Sequence, residues 1–325
     1  MRRGIALIAI AASFACASHA AGAAQQEHYP QRPIRFIVPF AAGGTTDIIA
    51  RVVGAKLSEE LGQQFIVDNR GGAGSTIGTA IAAKAAPDGH TILLGNNGLA
   101  INETLYPKLP YDALKDLLPV SLVGMTPNVL VVNTAVPAKT VKDFIALAKA
   151  QPGKLTYASA GAGSSTHLSV ELLQSLAAIK AVHVPYKGGA PALADTISGQ
   201  VQFMLATLPS AHPHIVSGRL RALGVSGGER SAALPDVPTI AESGLPGYDY
   251  TSWYGILAPA GTPQAIITRL NAVTVKALNA KDVTDRLRQQ GLEPRSTTPQ
   301  KFGEMIRTEI GVWAKIIKSA GITLN

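Results

Sequence analysis

Ile34-Arg35-Phe36-Ile37-Val38-Pro39-Phe40-Ala41-Ala42-Gly43-Gly44-Thr45-Thr46-Asp47 is the stretch whose reading decides the fold. A β-rich run, Ile34–Val38, stops at a proline, and a turn of small residues follows. Residues 45–61 then place Ile48, Ile49, Val52, Val53 and Leu57 on one face of a helix. The unit recurs downstream. Phe65–Val67 reads as a strand, Gly71–Ser75 as a second glycine-rich turn, Thr76–Ala86 as a helix, and Thr91–Leu94 as a strand after the turn Pro87-Asp88-Gly89. Strand, helix, strand, helix, strand predicts an α/β fold with parallel strands and helices on the faces of the sheet.

A second set follows. Val129–Val132 reads as a strand, and Thr140 with Asp143 forms a capping-box pattern opening a helix to about Ala150. Leu155–Ser159 is a strand, Ala160–Ser165 a Gly/Ser turn, and a helix runs from there to about Leu176. Ala181–Val184, Val201–Leu205, Ala222–Val225 and Trp253–Leu257 are further strands, with a helix at Pro191–Ser198. Three helices close the chain, and Thr262-Pro263 and Thr298-Pro299 read as cap-plus-first-residue starts for two of them. A mature chain of about 300 residues exceeds one hydrophobic core, so two lobes are expected. The spacing places lobe 1 at 30–123 and 252–325 and lobe 2 at 124–251. The chain crosses outward near Gly124–Pro127 and returns near Tyr250–Trp253, and two such crossings make a hinge.

The N-terminus reads as a secretory signal. Arg2 and Arg3 precede an apolar run from Ile5 to Ala12, and small residues lead to two A-x-A-like sites ending at Ala20 and Ala23. That run is too short for a membrane span, which needs about 20 apolar residues. Cys16, the single cysteine, falls inside the segment, and Ser13 stands where a lipid-anchor signal needs an aliphatic residue. The mature chain then has no thiol for disulfides, metal ligation or nucleophilic catalysis. Losing Arg2 and Arg3 takes the formal charge from +8 to +6. The basic residues are scattered, so the charge favours anionic small molecules over nucleic acid.

Three glycine-rich turns, Pro39–Asp47, Gly71–Ser75 and Ala160–His167, each sit between a strand and a helix. Converging backbone N–H groups and the partial positive charge of a helix N-terminus make such a turn an anion site without arginine, and tight packing is the alternative use. No Gly-Lys-Ser/Thr follows the glycines, so a phosphate loop is excluded. Ser164, Ser165 and His167 lack both the nucleophile-elbow pattern and triad spacing, which argues against a hydrolase. His212 and His214 have no nearby carboxylates to complete a metal site. Asp47 reads as a helix cap or as the holder of a bridging water.

The motifs resemble, in order, the Bug-type periplasmic solute-binding proteins of tripartite tricarboxylate transporters. The matching strings are Arg32-Pro33-Ile34 through Val38-Pro39-Phe40-Ala41-Ala42-Gly43-Gly44-Thr45-Thr46-Asp47, Asn69-Arg70 with Gly72-Ala73-Gly74, and Ala86-Pro87-Asp88-Gly89. Tyr157-Ala158-Ser159 through Gly161, Gly163 and His167-Leu168 continue the series, as do Val184-Pro185-Tyr186-Lys187-Gly188, Leu234-Pro235-Asp236-Val237-Pro238-Thr239, Trp253 and Ala258-Pro259. The resemblance implies a two-lobed, type II periplasmic binding fold, no catalysis, no cofactor and no metal. It implies a small carboxylate ligand (a di- or tricarboxylate or an aromatic acid) in the cleft. The residues it assigns to the ligand are Phe40, Ala41, Ala42, Gly43, Gly44, Thr45 and Asp47 in one lobe, with Gly74 and Ser75. Ser159, Gly161, Gly163, Ser164, Ser165, His167, Tyr186 and Thr207 face them. Many relatives carry Asp where this chain has Ala206, which disfavours an amino-acid ligand. Membrane transporter subunits are the implied partners of a monomeric receptor, and docking on a membrane sensor kinase is the alternative. The periplasm is the implied compartment.

Cleavage after Ala23 predicts a mature N-terminus at Ala24. Intact-mass spectrometry of the periplasmic fraction checks it, and a species retaining Met1 there contradicts it.

Overall fold

The computed structural model describes residues 29–323. The signal segment, with Cys16 and both cleavage sites, lies outside the described residues.

The opening stretch folds as its pattern dictates. β1 (Ile34–Val38) is buried along almost its whole length, as a strand covered on both faces must be. α1 (Thr45–Leu61) turns Ile49, Val52, Val53 and Leu57 inward. β2 (Phe65–Asn69), a short 3₁₀ turn (Ala73–Ser75), α2 (Thr76–Ala83) and β3 (Thr91–Asn96) complete the unit. β1 pairs in parallel with β2 and with β3. α3 (Gly98–Leu105) follows at once, an element absent from the sequence reading.

β4 (Leu117–Asn133) is a strand of 17 residues, far longer than the Val129–Val132 run that marked it. Polar and small residues at Ser121, Gly124, Thr126 and Asn128 interrupt its apolar pattern, which is why its first half was illegible. Leu117 to Pro127 pair antiparallel with β9 (Thr251–Pro259), and Asn128 to Asn133 pair antiparallel with β7 (Phe203–Thr207) and β8 (Leu220–Val225). The remaining elements are α4 (Val141–Ala150), β5 (Thr156–Ser159), α5 (Ser165–Ala177), β6 (Val182–Pro185), α6 (Gly189–Ser198), α7 (Leu208–Val216), α8 (Gln264–Asn279), α9 (Lys281–Gln289), β10 (Glu293–Pro294) and α10 (Pro299–Ala320). The strands lie in the order β2-β1-β3-β9-β4-β7-β5-β6, with β8 and β10 beside β4. The outer strands run parallel, and β4 and β9 run antiparallel between them. The result is a two-lobed α/β fold, a curled sheet flanked by helices.

Of the three helix starts that threonines mark in the sequence, two follow the capping rules. The Thr140 side chain accepts from Asp143 N–H while the Asp143 carboxylate accepts from Thr140 N–H, the reciprocal box the sequence indicated. Thr298 caps α10, accepting from Lys301 N–H, with Pro299 at the first helical position. Thr262 does not cap α8. Its hydroxyl donates to the Pro259 carbonyl at 2.7 Å, and Pro263 takes the cap position.

α10 lies along both cores. Phe302 and Ile306 pack with Ile37, Leu93 and Trp253. Trp313 and Ile317 join a cluster containing Ala100, Ile101 and Leu105 of α3 together with Phe144, Tyr157 and Leu173. Trp253 is buried and meets Phe302 edge-on at 5.5 Å, so this indole belongs to the core. A Cβ added at Gly255 would fall 2.1 Å from the Phe302 ring. Gly255→Ala should therefore lower stability by about 1–3 kcal/mol through overpacking, read as a drop in thermal midpoint. An unchanged midpoint would mean that the ring moves aside freely.

Candidate functional site

The turn after β1 is built by Asp47. From the first turn of α1 its carboxylate accepts from Gly43 N–H at 3.0 Å and from Arg51 Nε at 3.0 Å. Burial raises the Asp47 pKa, but the hydrogen bonds from Arg51, Gly43 N–H and Asn69 outweigh it and hold the group below the usual carboxylate range. Asp47 is thus not the N-cap. It ties the preceding turn down, while its Oδ1 is buried without a partner. Gly44 occupies the N-cap with extended backbone (φ −83°, ψ 171°), and Gly43 takes the left-handed conformation at φ +82°. The left-handed reversal falls at Gly43 and not at Gly44, because a helix N-cap requires β-region backbone and the reversal must come before it.

The turn after β2 is left-handed through three consecutive residues: Ala73 at φ 47°, Gly74 at 57° and Ser75 at 88°. For the two that carry a Cβ this conformation costs about 1–2 kcal/mol each. Asn102 of α3 braces the turn, donating from Nδ2 to the Gly74 carbonyl at 3.0 Å and to Thr76 Oγ1 at 3.3 Å.

In the other lobe the turn after β5 is held by its own side chains. Ser164 caps α5, its hydroxyl accepting from His167 N–H. His167 Nδ1 accepts from Gly163 N–H at 3.2 Å, and Ser159 Oγ accepts from Gly161 N–H at 3.1 Å. Ser159 also meets His183 Nε2 at 2.6 Å. The imidazoles of His167 and His183 stack with centroids 4.1 Å apart, and the Tyr157 ring stacks on His183 at 4.8 Å. Glu171 Oε1 accepts from the Tyr157 hydroxyl and from Gln174 Nε2, and lies 3.8 Å from His167 Nε2. Sequence reasoning missed His183, Tyr157 and Glu171 as a group, since they lie on three different elements.

The two sets of turns meet across the cleft. Ala41 N–H donates to the Lys187 carbonyl at 3.1 Å. Thr45 Oγ1 and Thr207 Oγ1 are 2.7 Å apart, and Thr45 Oγ1 also accepts from Ser210 N–H at 3.1 Å. The Ser210 hydroxyl donates to the Thr207 carbonyl, so its contact with Thr207 Oγ1 at 3.2 Å must be donated by Thr207. That leaves the Thr45 hydroxyl as donor to Thr207. The Tyr254 hydroxyl lies buried beside both threonines, and burial raises its pKa against their hydrogen bonding. Gly74 packs so closely on the facing turn that a Cβ would fall 1.9 Å from the Ala162 carbonyl oxygen.

Of the residues the sequence assigned to this site, Ala41, Gly43, Gly44, Thr45, Gly74, Gly161, Gly163 and Thr207 contact the opposite lobe. Ser164 directs its hydroxyl into its own turn, while Ser159 divides its polar contacts between that turn and His183, and His167 between the turn and Glu171. Tyr186 donates its hydroxyl to Asp195 at 2.6 Å, and the Phe40 carbonyl accepts from Asn69 Nδ2 at 3.1 Å. Ser165 stands at the start of α5, Ser75 is buried, and Ala42 is exposed. Ala41, Ala73, Gly161, Ala162, Pro185, Tyr186, Lys187 and Pro191 line a depression of about 700 Å³ over the seam.

Residues 49–322 match the family described as the tripartite tricarboxylate transporter family receptor, TctC. The chain belongs to that family. It is 40% identical to protein BugT of Bordetella pertussis over 98% of both chains. The solved structure of R. palustris Rpa4515 with adipate is 38% identical, with a TM-score of 0.88 over 91% of this chain and 99% of that one. MatC (Rpa3494) from Rhodopseudomonas palustris with bound malate is 35% identical, with a TM-score of 0.86 over 89% of this chain and 100% of that one. This TctC-family chain is a solute-binding receptor of periplasmic binding protein fold, not an enzyme. Among the described residues no helix is long and apolar enough to cross a membrane.

Burial and the neighbouring His183 lower the His167 pKa to about 3, and burial lowers that of His183 to about 4. An unfolded histidine titrates near 6.5, so the unfolded chain takes up these protons first. Stability from the neutral stack is complete above that value and is lost as pH falls from about 6.5 toward 4, at ~1.4 kcal/mol per pH unit for each proton. Unfolding midpoints measured between pH 7 and 4 should fall more steeply in the unsubstituted chain than in His183→Gln. Parallel curves would exclude this role of the stack.

Proposed function

We propose that the protein captures a small carboxylate, a dicarboxylate or an aromatic acid, between its lobes and presents it to the membrane subunits of a tripartite tricarboxylate transporter. One observation carries this reading: two glycine-rich turns, each opening a helix, face one another across the seam. A helix N-terminus leaves its first N–H groups without intrahelical acceptors, and its partial positive charge favours an anion. Lys187 supplies a cation at the rim of the depression. Relatives that hold adipate and malate support a carboxylate as the ligand class.

In this reading the ligand meets Phe40–Thr45, Asp47, Gly74 and Ser75 from one lobe and Ser159, Gly161, Gly163–Ser165, His167, Tyr186 and Thr207 from the other. Asp47 acts by holding Gly43 N–H, since its own charge repels an anion. The lobes are residues 30–123 with 252–325, and 124–251, hinged where β4 and β9 pass between them. Residues 1–23 direct export to the periplasm and are then removed.

Calorimetric titration with adipate, malate, citrate and benzoate tests the reading, with at least one binding. Gly43→Val places a β-branched side chain at a left-handed backbone position and 3.4 Å from the Ala190 methyl. It should weaken that affinity by roughly tenfold or more, and Asp47→Ala by less. Unchanged affinity in folded Gly43→Val would place the ligand elsewhere.

A further inference from the structure

α3 does more than fill space between β3 and β4. Asn102 stands in its last turn, and Tyr106, four residues on, is its C-cap with extended backbone (φ −96°, ψ 121°). Tyr106 donates its hydroxyl to the Ala162 carbonyl, across the cleft, at 3.1 Å. Asn102 commits its amide protons to the left-handed turn at Gly74 and Thr76. Its remaining polar atom, Oδ1, is fully buried and has no partner. That oxygen abuts Gly163, where an added Cβ would fall 2.1 Å away. The C-terminal end of one helix therefore braces the strained turn of the first lobe and touches two consecutive residues of the facing turn. Leu105, Ala100 and Ile101 anchor the helix in the core shared with Trp313 and Ile317 of α10.

We propose that Asn102 and Tyr106 are positioning residues that lock the two glycine-rich turns together and thereby set how long a ligand stays bound. The inference rests on the solute-binding reading above. The two residues act in opposite directions. The Tyr106 hydrogen bond favours the docked arrangement. Docking also presses the Asn102 oxygen against a Cα, where no donor reaches it, and a buried unsatisfied acceptor opposes burial. The docked state is thus kept reversible, as a receptor that must release its cargo requires.

Removing the phenolic oxygen isolates the favourable half. In Tyr106→Phe the dissociation rate of adipate should rise about three- to tenfold, the range a single net hydrogen bond allows, with association rate and thermal midpoint unchanged. A merely structural role would shift the midpoint and leave the rate split unmoved. Gly163→Ala should weaken adipate binding, and Asn102→Ser added to it should restore part of the loss, because the shorter side chain clears the new methyl.

A ligand-independent arm separates this inference from the reading beneath it. Spin labels at Ala55→Cys on α1 and Ala150→Cys on α4, in the chain from Ala24 onward, report the separation of the lobes by electron–electron resonance. Without ligand, Tyr106→Phe should move the distance distribution toward longer separations. Identical distributions with and without the hydroxyl overturn the proposal, whatever adipate does. Failure of the unsubstituted chain to bind any carboxylate would overturn the functional reading and leave the distance result to decide this one.

Discussion

β4 pairs with one set of strands along its first half and another along its second, and the rest of the molecule is arranged around that fact. Up to Pro127 its partners are β9 and, at Gly124 and Met125, β10; from Asn128 they are β7 and β8. A strand is stiff only while its edges are paired, so the point where partners change is where the sheet can curl. At that point Asn128 ties the two parts with side-chain and backbone bonds. Its Oδ1 accepts from Ser252, its Nδ2 donates to Ser169, and its N–H donates to Ser226 Oγ at 2.7 Å. These partners belong to β9, to α5 and to the segment after β8. The junction is polar and fully bonded where a purely apolar core would leave the register free to slip.

From that junction the parallel strands fan outward in both directions, and their carboxyl ends bring the glycine-rich turns to a common seam. Ligands in open α/β sheets lie beyond those ends. The chemistry of the seam is almost entirely main chain. Side chains that look functional in sequence, such as Ser159, Ser164, His167 and Asp47, spend their polar atoms holding turns in shape. In the proposed reading it is the backbone they organise that meets the anion. This division of labour explains how a chain without catalytic constellations still devotes buried histidine, glutamate and tyrosine to one lobe: the stack shapes a turn.

Much of the fold was legible because period and punctuation agreed. α1 was readable to its last residue, since the Gly43-Gly44 turn precedes an amphipathic run and Gly62 ends it in the left-handed conformation. The Thr140–Asp143 box was equally plain. α3 was not, because Gly98-Leu99-Ala100-Ile101-Asn102 is buried on nearly every side and shows no amphipathic contrast. The first half of β4 was hidden for the same reason in reverse: Ser121 donates to the Thr297 carbonyl after β10 and Thr126 to the Gly291 carbonyl before it, not to solvent.

The sequence by itself determined the α/β class, the glycine-rich turns and the family, because each depends on local backbone preference or on a contiguous motif. Tertiary structure alone decided which turns face each other, that the reversal falls at Gly43, that His167 stacks on His183, and that Asn102 and Tyr106 reach across the cleft. Those contacts join residues about 16 to 60 or more positions apart, through geometry that no local pattern encodes.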